Sequence, residues 1–156
     1  MNLDYRLFIL SFVSPQPLLL NAMPEVKISP YDLVMLVDDN DTYNFINRRI
    51  LENAKFAKTV EVQSSGISAL SYLEEHINDI GRLPDIIFLD IKMPHLNGHE
   101  FLYKLDRITN GIEDKCKVVM LSASVEENDV VKSKEYDKVI NYIQKPLTVE
   151  ALNRIN

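Results

Sequence analysis

At 156 residues the chain has the length of one domain, and its 46% hydrophobic and 26% charged residues give an ordinary globular balance. A net charge of −6 and a pI near 5.1, with no basic stripe, argue against a nucleic-acid binder. The single cysteine, Cys116, excludes a disulfide framework and a cysteine-rich zinc site, and at the edge of an apolar strand it reads as a core thiol.

The first thirty residues differ from the rest. "LFILSFVSPQPLLLNAMP" is apolar but broken by Pro15 and Pro17, so it lacks the roughly 20 continuous apolar residues of a spanning helix. It reads as an upstream extension with Met23 as the natural start, as a packed accessory segment, or as a secretion signal. Against the last stand Asp4 and the poor cleavage site in "NAMPE". Residues 1–30 are accordingly set apart as an N-terminal extension, and 31–156 as the folded domain.

From there the pattern is regular. "LVMLV" (33–37) is a continuous apolar run, as in strands buried on both faces, and it ends at Asp38-Asp39. Residues 41–54 form a helix with Phe45, Ile46, Ile50 and Leu51 as its apolar stripe and Asp41 or Thr42 as its cap. "KTVEVQ" (58–63) alternates as a strand. Ser65-Gly66 opens a second helix with Ile67, Leu70 and Leu73 inward and Ala69 and Ile77 extending the stripe; Gly81 and Pro84 close that segment.

"DIIFLD" (85–90) is the third strand, and residues 98–108 the third helix, with Phe101, Leu102, Leu105 and Ile108 inward. "KVVMLSA" (117–123) is a buried strand, and 126–137 a helix with a thin stripe of Val130, Val131 and Tyr136. "KVINYI" (138–143) is the fifth strand, and Thr148 caps a last helix over 148–155. Strands alternating five times with amphipathic helices make an α/β fold, a parallel sheet covered on both faces. Such sheets bind ligands beyond the carboxyl ends of their strands.

Those ends carry the polar residues. Asp38-Asp39, Asp90, Ser122 and Lys145 would gather three carboxylates, a hydroxyl and an ammonium around one crevice. Clustered carboxylates repel unless protonated or neutralised by a cation, and oxygen-only ligands suit a hard ion such as Mg²⁺. A phosphoryl group on one carboxylate would find Lys145 and Ser122 for its remaining oxygens, and an aspartate can itself be the nucleophile.

The segments "LVDDN" (36–40), "FLDIKMPHLNGHEFL" (88–102), "VVMLSAS" (118–124) and "YIQKPLT" (142–148) together resemble the receiver domain of two-component response regulators. Each alone is weak; four in order, each at a strand end, are specific. The resemblance spans about residues 32–155 and implies a flavodoxin-like doubly wound (βα)5 sheet of strand order 2-1-3-4-5. It implies Asp90 as phosphoacceptor, and Mg²⁺ held by Asp39, Asp90 and the Lys92 main-chain carbonyl, with Asp38 acting mostly through a water. Lys145 would pair with the phosphoryl oxygens, Ser122 would swing to them, Tyr142 would be the aromatic switch, and Lys145-Pro146 would be cis.

The family's function would make the chain a stand-alone, cytoplasmic signalling switch rather than a classical turnover enzyme, although it assists its own phosphorylation and dephosphorylation. Its partners would be a sensor histidine kinase or histidine phosphotransfer protein, and a target bound on the face of helix four, strand five and helix five. No nucleic acid or membrane is expected, and the state would be a monomer or weak dimer. Shuttling of phosphate and direct regulation remain equally open. Rival readings are a constitutive receiver-like interaction module that is not phosphorylated, and an aspartyl-phosphate hydrolase, which would need a cap domain.

Departures and plainer readings also count. Lys92 and Ser124 occupy positions that, in the family, influence phosphoryl lifetime; a cation at 92 would contact the phosphoryl group or pair with an acid. His95 and His99 lie four apart, but with no further ligand nearby they read as solvated loop histidines. Glu74-Glu75 and Glu126-Glu127 read as solvated helix faces. The chain has no G-x-x-x-x-G-K-[ST] loop, which removes a nucleotide-triphosphatase reading.

Overall fold

A computed structural model describes residues 29–124 and 126–155; the segment read as an N-terminal extension lies, up to residue 28, outside them. Strand β1 (Tyr31–Val37) is followed by α1 (Asp41–Asn53), β2 (Ala57–Gln63), α2 (Gly66–His76), β3 (Ile86–Asp90) and α3 (Gly98–Ile108). Then come β4 (Lys117–Ser122), α4 (Glu127–Ser133), β5 (Val139–Gln144) and the short α5 (Val149–Leu152). All strand pairs are parallel, and the order is β2-β1-β3-β4-β5, as the resemblance implies. The register places Leu36 beside Phe88 and Phe88 beside Val119, so the central apolar runs lie level.

Every residue of β3 is buried, because the sheet is covered twice. On one face Met35, Val37, Ile87, Leu89, Val118 and Met120 pack against α2 and α3 through Ala69, Leu73, Phe101, Leu102 and Leu105. On the other, Val34, Leu36, Ile86, Phe88, Val119 and Leu121 meet Leu51 of α1 and Leu152 of α5. Cys116 is buried just before β4, as expected of a core thiol, and burial pushes its thiol up to about 11.

Two helix faces differ from expectation. In α1, Phe45 is 63% and Ile46 39% exposed, while Asn44, Asn47 and Leu51 are buried. The inward rotation of Asn44 has a clear reason: its Nδ2 donates to the Asp38 carbonyl at 2.7 Å, satisfying the loop after β1. The cap of α1 is Asn40, not Asp41 or Thr42; its Oδ1 accepts from Thr42 N at 3.0 Å and Tyr43 N at 3.2 Å. In α2, Ile67 is exposed while Ala69, Leu70, Leu73 and His76 are buried, so the stripe sits further along the helix.

Helix α4 stops at Ser133, short of the expected residue 137. Its apolar stripe is thin: Val131 is exposed and Val130 only half-buried, which leaves little burial to hold another turn. Ser133 Oγ also donates to the Val130 carbonyl at 2.9 Å, a side-chain bond that competes with the helical ladder. The last helix likewise stops at Leu152, capped as expected by Thr148, whose Oγ1 accepts from Ala151 N at 3.2 Å.

Candidate acidic site at the strand ends

The site is assembled by the carboxyl ends of β1, β3 and β4 and the loop after β5. Asp38 follows β1 directly, and its own backbone nitrogen bonds the Gln63 carbonyl at the end of β2 at 3.2 Å. Its Oδ1 accepts from Asn40 N at 2.9 Å, which links it to the residue that caps α1. Asp90 closes β3, and the next residue, Ile91, donates to the Leu121 carbonyl at 3.1 Å. Gly98 then brings the start of α3 back onto this corner, its nitrogen bonding the Ile91 carbonyl at 2.9 Å. A Cβ on Gly98 would meet the Asp90 carbonyl oxygen and Ile91 Cα at 2.9 Å, so only glycine permits this approach. The capping box of Asn97 and Glu100 starts the helix there.

Lys145 arrives from the far side. Its backbone nitrogen donates to the Ser122 carbonyl at 2.8 Å, and the Lys145–Pro146 peptide is cis, as the resemblance implies. Its ammonium reaches Asp38 Oδ2 at 2.5 Å and Asp90 Oδ1 at 2.9 Å, with 4% of the side chain exposed. Burial raises the Asp38 carboxyl; the bond to Lys145 opposes this, and the nearby Asp90 charge adds to it. For Lys145, burial alone would lower the ammonium, but its bonds to Asp38 and Asp90 outweigh that and hold it above the ordinary lysine value.

Asp39 is exposed and points to the same place: oxygens of Asp38, Asp39 and Asp90 lie within 4.8 Å of one another. Among the described residues this is the one group of three or more acidic, histidine or cysteine side chains gathered closely enough to hold a metal ion. Three carboxylates against one ammonium leave an excess of two negative charges, and the donors are all oxygen. That donor set fits a hard divalent cation.

The remaining expected residues surround this core. Ser122 Oγ donates to the Ser124 carbonyl at 2.5 Å, so its hydroxyl is turned into its own loop. Tyr142 is half-buried and its hydroxyl is buried without a hydrogen-bond partner among the described residues; burial raises it above the ordinary phenol value. Lys92 is exposed and its Nζ bonds Glu126 Oε1 at 2.8 Å, the pairing with an acid that the sequence left as one option.

Two features escaped the sequence reading. The ring of Tyr43, in the first turn of α1, lies over the Lys145 ammonium at 4.6 Å from its centroid. Nothing in the local pattern signals a contact to a residue so distant in the chain. His99 was expected to be solvated, yet it is part-buried and its Nε2 lies 3.2 Å from Asp129 Oδ1, joining α3 to α4; His95 is exposed as expected. A groove of about 550 Å³ between α2 and α3, lined by Ile67, Leu70, Leu96 and Tyr103, lies apart from the acidic residues.

Comparison with known proteins agrees with this fold. The family model of the response regulator receiver domain matches residues 34–155. Over 123 residues the chain is 31% identical to the probable methanogenesis regulatory protein FilR2 of Methanothrix harundinacea, covering 78% of this chain and 77% of that protein. It is 34% identical over 117 residues to the transcriptional regulatory protein MalR of Bacillus subtilis, covering 75% of this chain but only 45% of MalR. A two component response regulator from Cytophaga hutchinsonii superposes with a TM-score of 0.70 at 35% identity, covering 80% of this chain and 93% of that one.

Proposed function

Because the chain belongs to the response regulator receiver domain family, we propose that Asp90 accepts a phosphoryl group and that this modification switches the domain between two signalling states. Receiver domains accept phosphoryl groups from histidine kinases or phosphotransfer proteins, and act in signalling rather than as classical enzymes. The observation that carries the reading is the buried Lys145 ammonium, held between Asp38 and Asp90 beside the exposed Asp39.

In the proposed step an Asp90 carboxylate oxygen attacks the phosphorus of a phosphohistidine; the oxygen–phosphorus bond forms as the nitrogen–phosphorus bond breaks, and the imidazole leaves with the electron pair. Asp38, Asp39, Asp90 and the Lys92 carbonyl would hold Mg²⁺, which when bound would neutralise charge on the transferred group. Lys145 would exchange its Asp90 contact for a phosphoryl oxygen. Ser122 would leave the Ser124 carbonyl and donate to another phosphoryl oxygen, vacating the space beside the unpartnered Tyr142 hydroxyl.

The new charge would also compete with Glu126 for Lys92, loosening the tie between the loop after β3 and the start of α4. That is a local electrostatic trigger acting on a two-state element. The face that would read it, α4–β5–α5, carries exposed Val131, Ile140 and Val149, scattered singly as suits a weak partner surface. A sensor histidine kinase or phosphotransfer protein upstream and a protein target on this face are the proposed partners. Intact-mass detection of one added phosphoryl group after incubation with acetyl phosphate and Mg²⁺ tests the reading. Wild type should be labelled and Asp90→Ala should not; if both behave alike, the chain is a constitutive interaction module.

A further inference from the structure

We infer that Tyr43 is a positioning residue of the phosphoryl-accepting site: its ring face is the third partner of the Lys145 ammonium and steadies that group while it exchanges a carboxylate for a phosphoryl oxygen. The inference rests on the reading of Asp90 as phosphoacceptor. An ammonium has three N–H bonds. Two are taken by Asp38 at 2.5 Å and Asp90 at 2.9 Å, and the Tyr43 ring stands 4.6 Å away at its centroid. The negative face of an aromatic ring attracts a cation, more strongly when water is excluded, and this side chain is 4% exposed.

The ring is held in place by the same residue that orders the acids. Asn40 Oδ1 accepts from the Tyr43 backbone nitrogen at 3.2 Å, while Asn40 N donates to Asp38 Oδ1 at 2.9 Å. One residue thus fixes both Asp38 and the turn that carries the ring. When a phosphoryl group arrives on Asp90, the Asp90 contact must be surrendered, but neither Asp38 nor the ring has to move. A leucine at position 43 would fill much of the space and offer no quadrupole. The third N–H would then face an apolar group or admit water, and the ammonium would sample more positions. The contact uses the ring face, so phenylalanine should serve as well as tyrosine.

The test compares wild type, Tyr43→Phe, Tyr43→Leu and Tyr43→Met (the last a second ringless variant in case leucine folds poorly). The rate of labelling by acetyl phosphate at saturating Mg²⁺ is measured, together with the NMR shift of the Lys145 Cε protons. The leucine and methionine variants should label about three- to tenfold more slowly, the fold-change of a cation–π contact of about 0.6–1.4 kcal/mol, and phenylalanine within about twofold of wild type. The Lys145 protons should show an upfield ring-current shift in wild type and Tyr43→Phe, absent from the other two. Labelling of the ringless variants at the wild-type rate overturns the inference, as does a slow Tyr43→Phe. Wild type that shows the ring-current shift but never labels overturns the phosphoacceptor reading and, with it, the positioning role, while leaving the ring contact standing.

Discussion

Replacing Lys145 by methionine removes the one ammonium between two buried carboxylates while keeping the length of the side chain. Asp38 is 2% and Asp90 5% exposed, so neither can turn fully to water without moving its loop. Breaking a buried ion pair costs about 3–5 kcal/mol, because the partner charge stays behind. Here the lower end applies, since the exposed Asp39 side admits some solvent. At roughly 2–4 °C per kcal/mol for a chain of this size, a loss of about 3 kcal/mol lowers Tm by about 6–12 °C. Millimolar Mg²⁺ should return much of that loss by supplying the missing positive charge, whereas it should stabilise wild type less, where Lys145 already occupies two of the acids. Thermal denaturation followed by circular dichroism, in EDTA and in Mg²⁺, measures both arms. A Lys145→Met variant melting within about 2 °C of wild type in EDTA would refute the view that this ammonium holds the acids together.

Gly98→Ala drives a methyl into the Asp90 carbonyl and Ile91 Cα at 2.9 Å, backbone atoms that cannot rotate aside. It should cost about 1–3 kcal/mol in urea titration and slow Asp90 labelling. Glu126→Gln frees Lys92 from an exposed pair; the melting temperature should barely move, while the phosphorylated form, assayed by intact mass over time, should show an altered lifetime. Ser122→Ala should still accept the phosphoryl group but fail to shift the Tyr142 ring resonances that move in wild type. The Cys116 thiol, fully buried and pushed up by that burial to about 11, should stay unreacted with iodoacetamide at pH 8 while the chain is folded and react once urea unfolds it. The same displacement stabilises the fold fully below pH 9 and is lost as pH rises towards about 11, because the unfolded thiol ionises first.

What the sequence disclosed, and what it withheld, divides along a physical line. The strands were legible because burial on both faces demands uninterrupted apolar runs, and β3 is buried at every position. The acids were legible because each interrupts such a run at the edge where ligands bind in this kind of sheet. The inward face of α1 was not, because hydrophobic periodicity records only apolar groups. Asn44 faces inward to satisfy the Asp38 carbonyl, and Asn47 is fully buried with both amide atoms unpartnered among the described residues. Phe45 and Ile46 are thereby turned outward, with the Arg49 guanidinium 5.7 Å from the Phe45 ring.

The errors in α1 and the omission of Tyr43 therefore share one cause. The first turns of this helix are oriented by the acidic loop they follow, through Asn40 and Asn44, rather than by the core beneath them. Local sequence rules fail where a site imposes its own geometry, and here they fail in the first turns of the helix that follows Asp38. An amphipathic optimum would have turned Phe45 and Ile46 to the sheet and carried Tyr43 away from Lys145. Asn40 and the buried Asn44, both tied to the acidic loop, are what keep the ring over the ammonium.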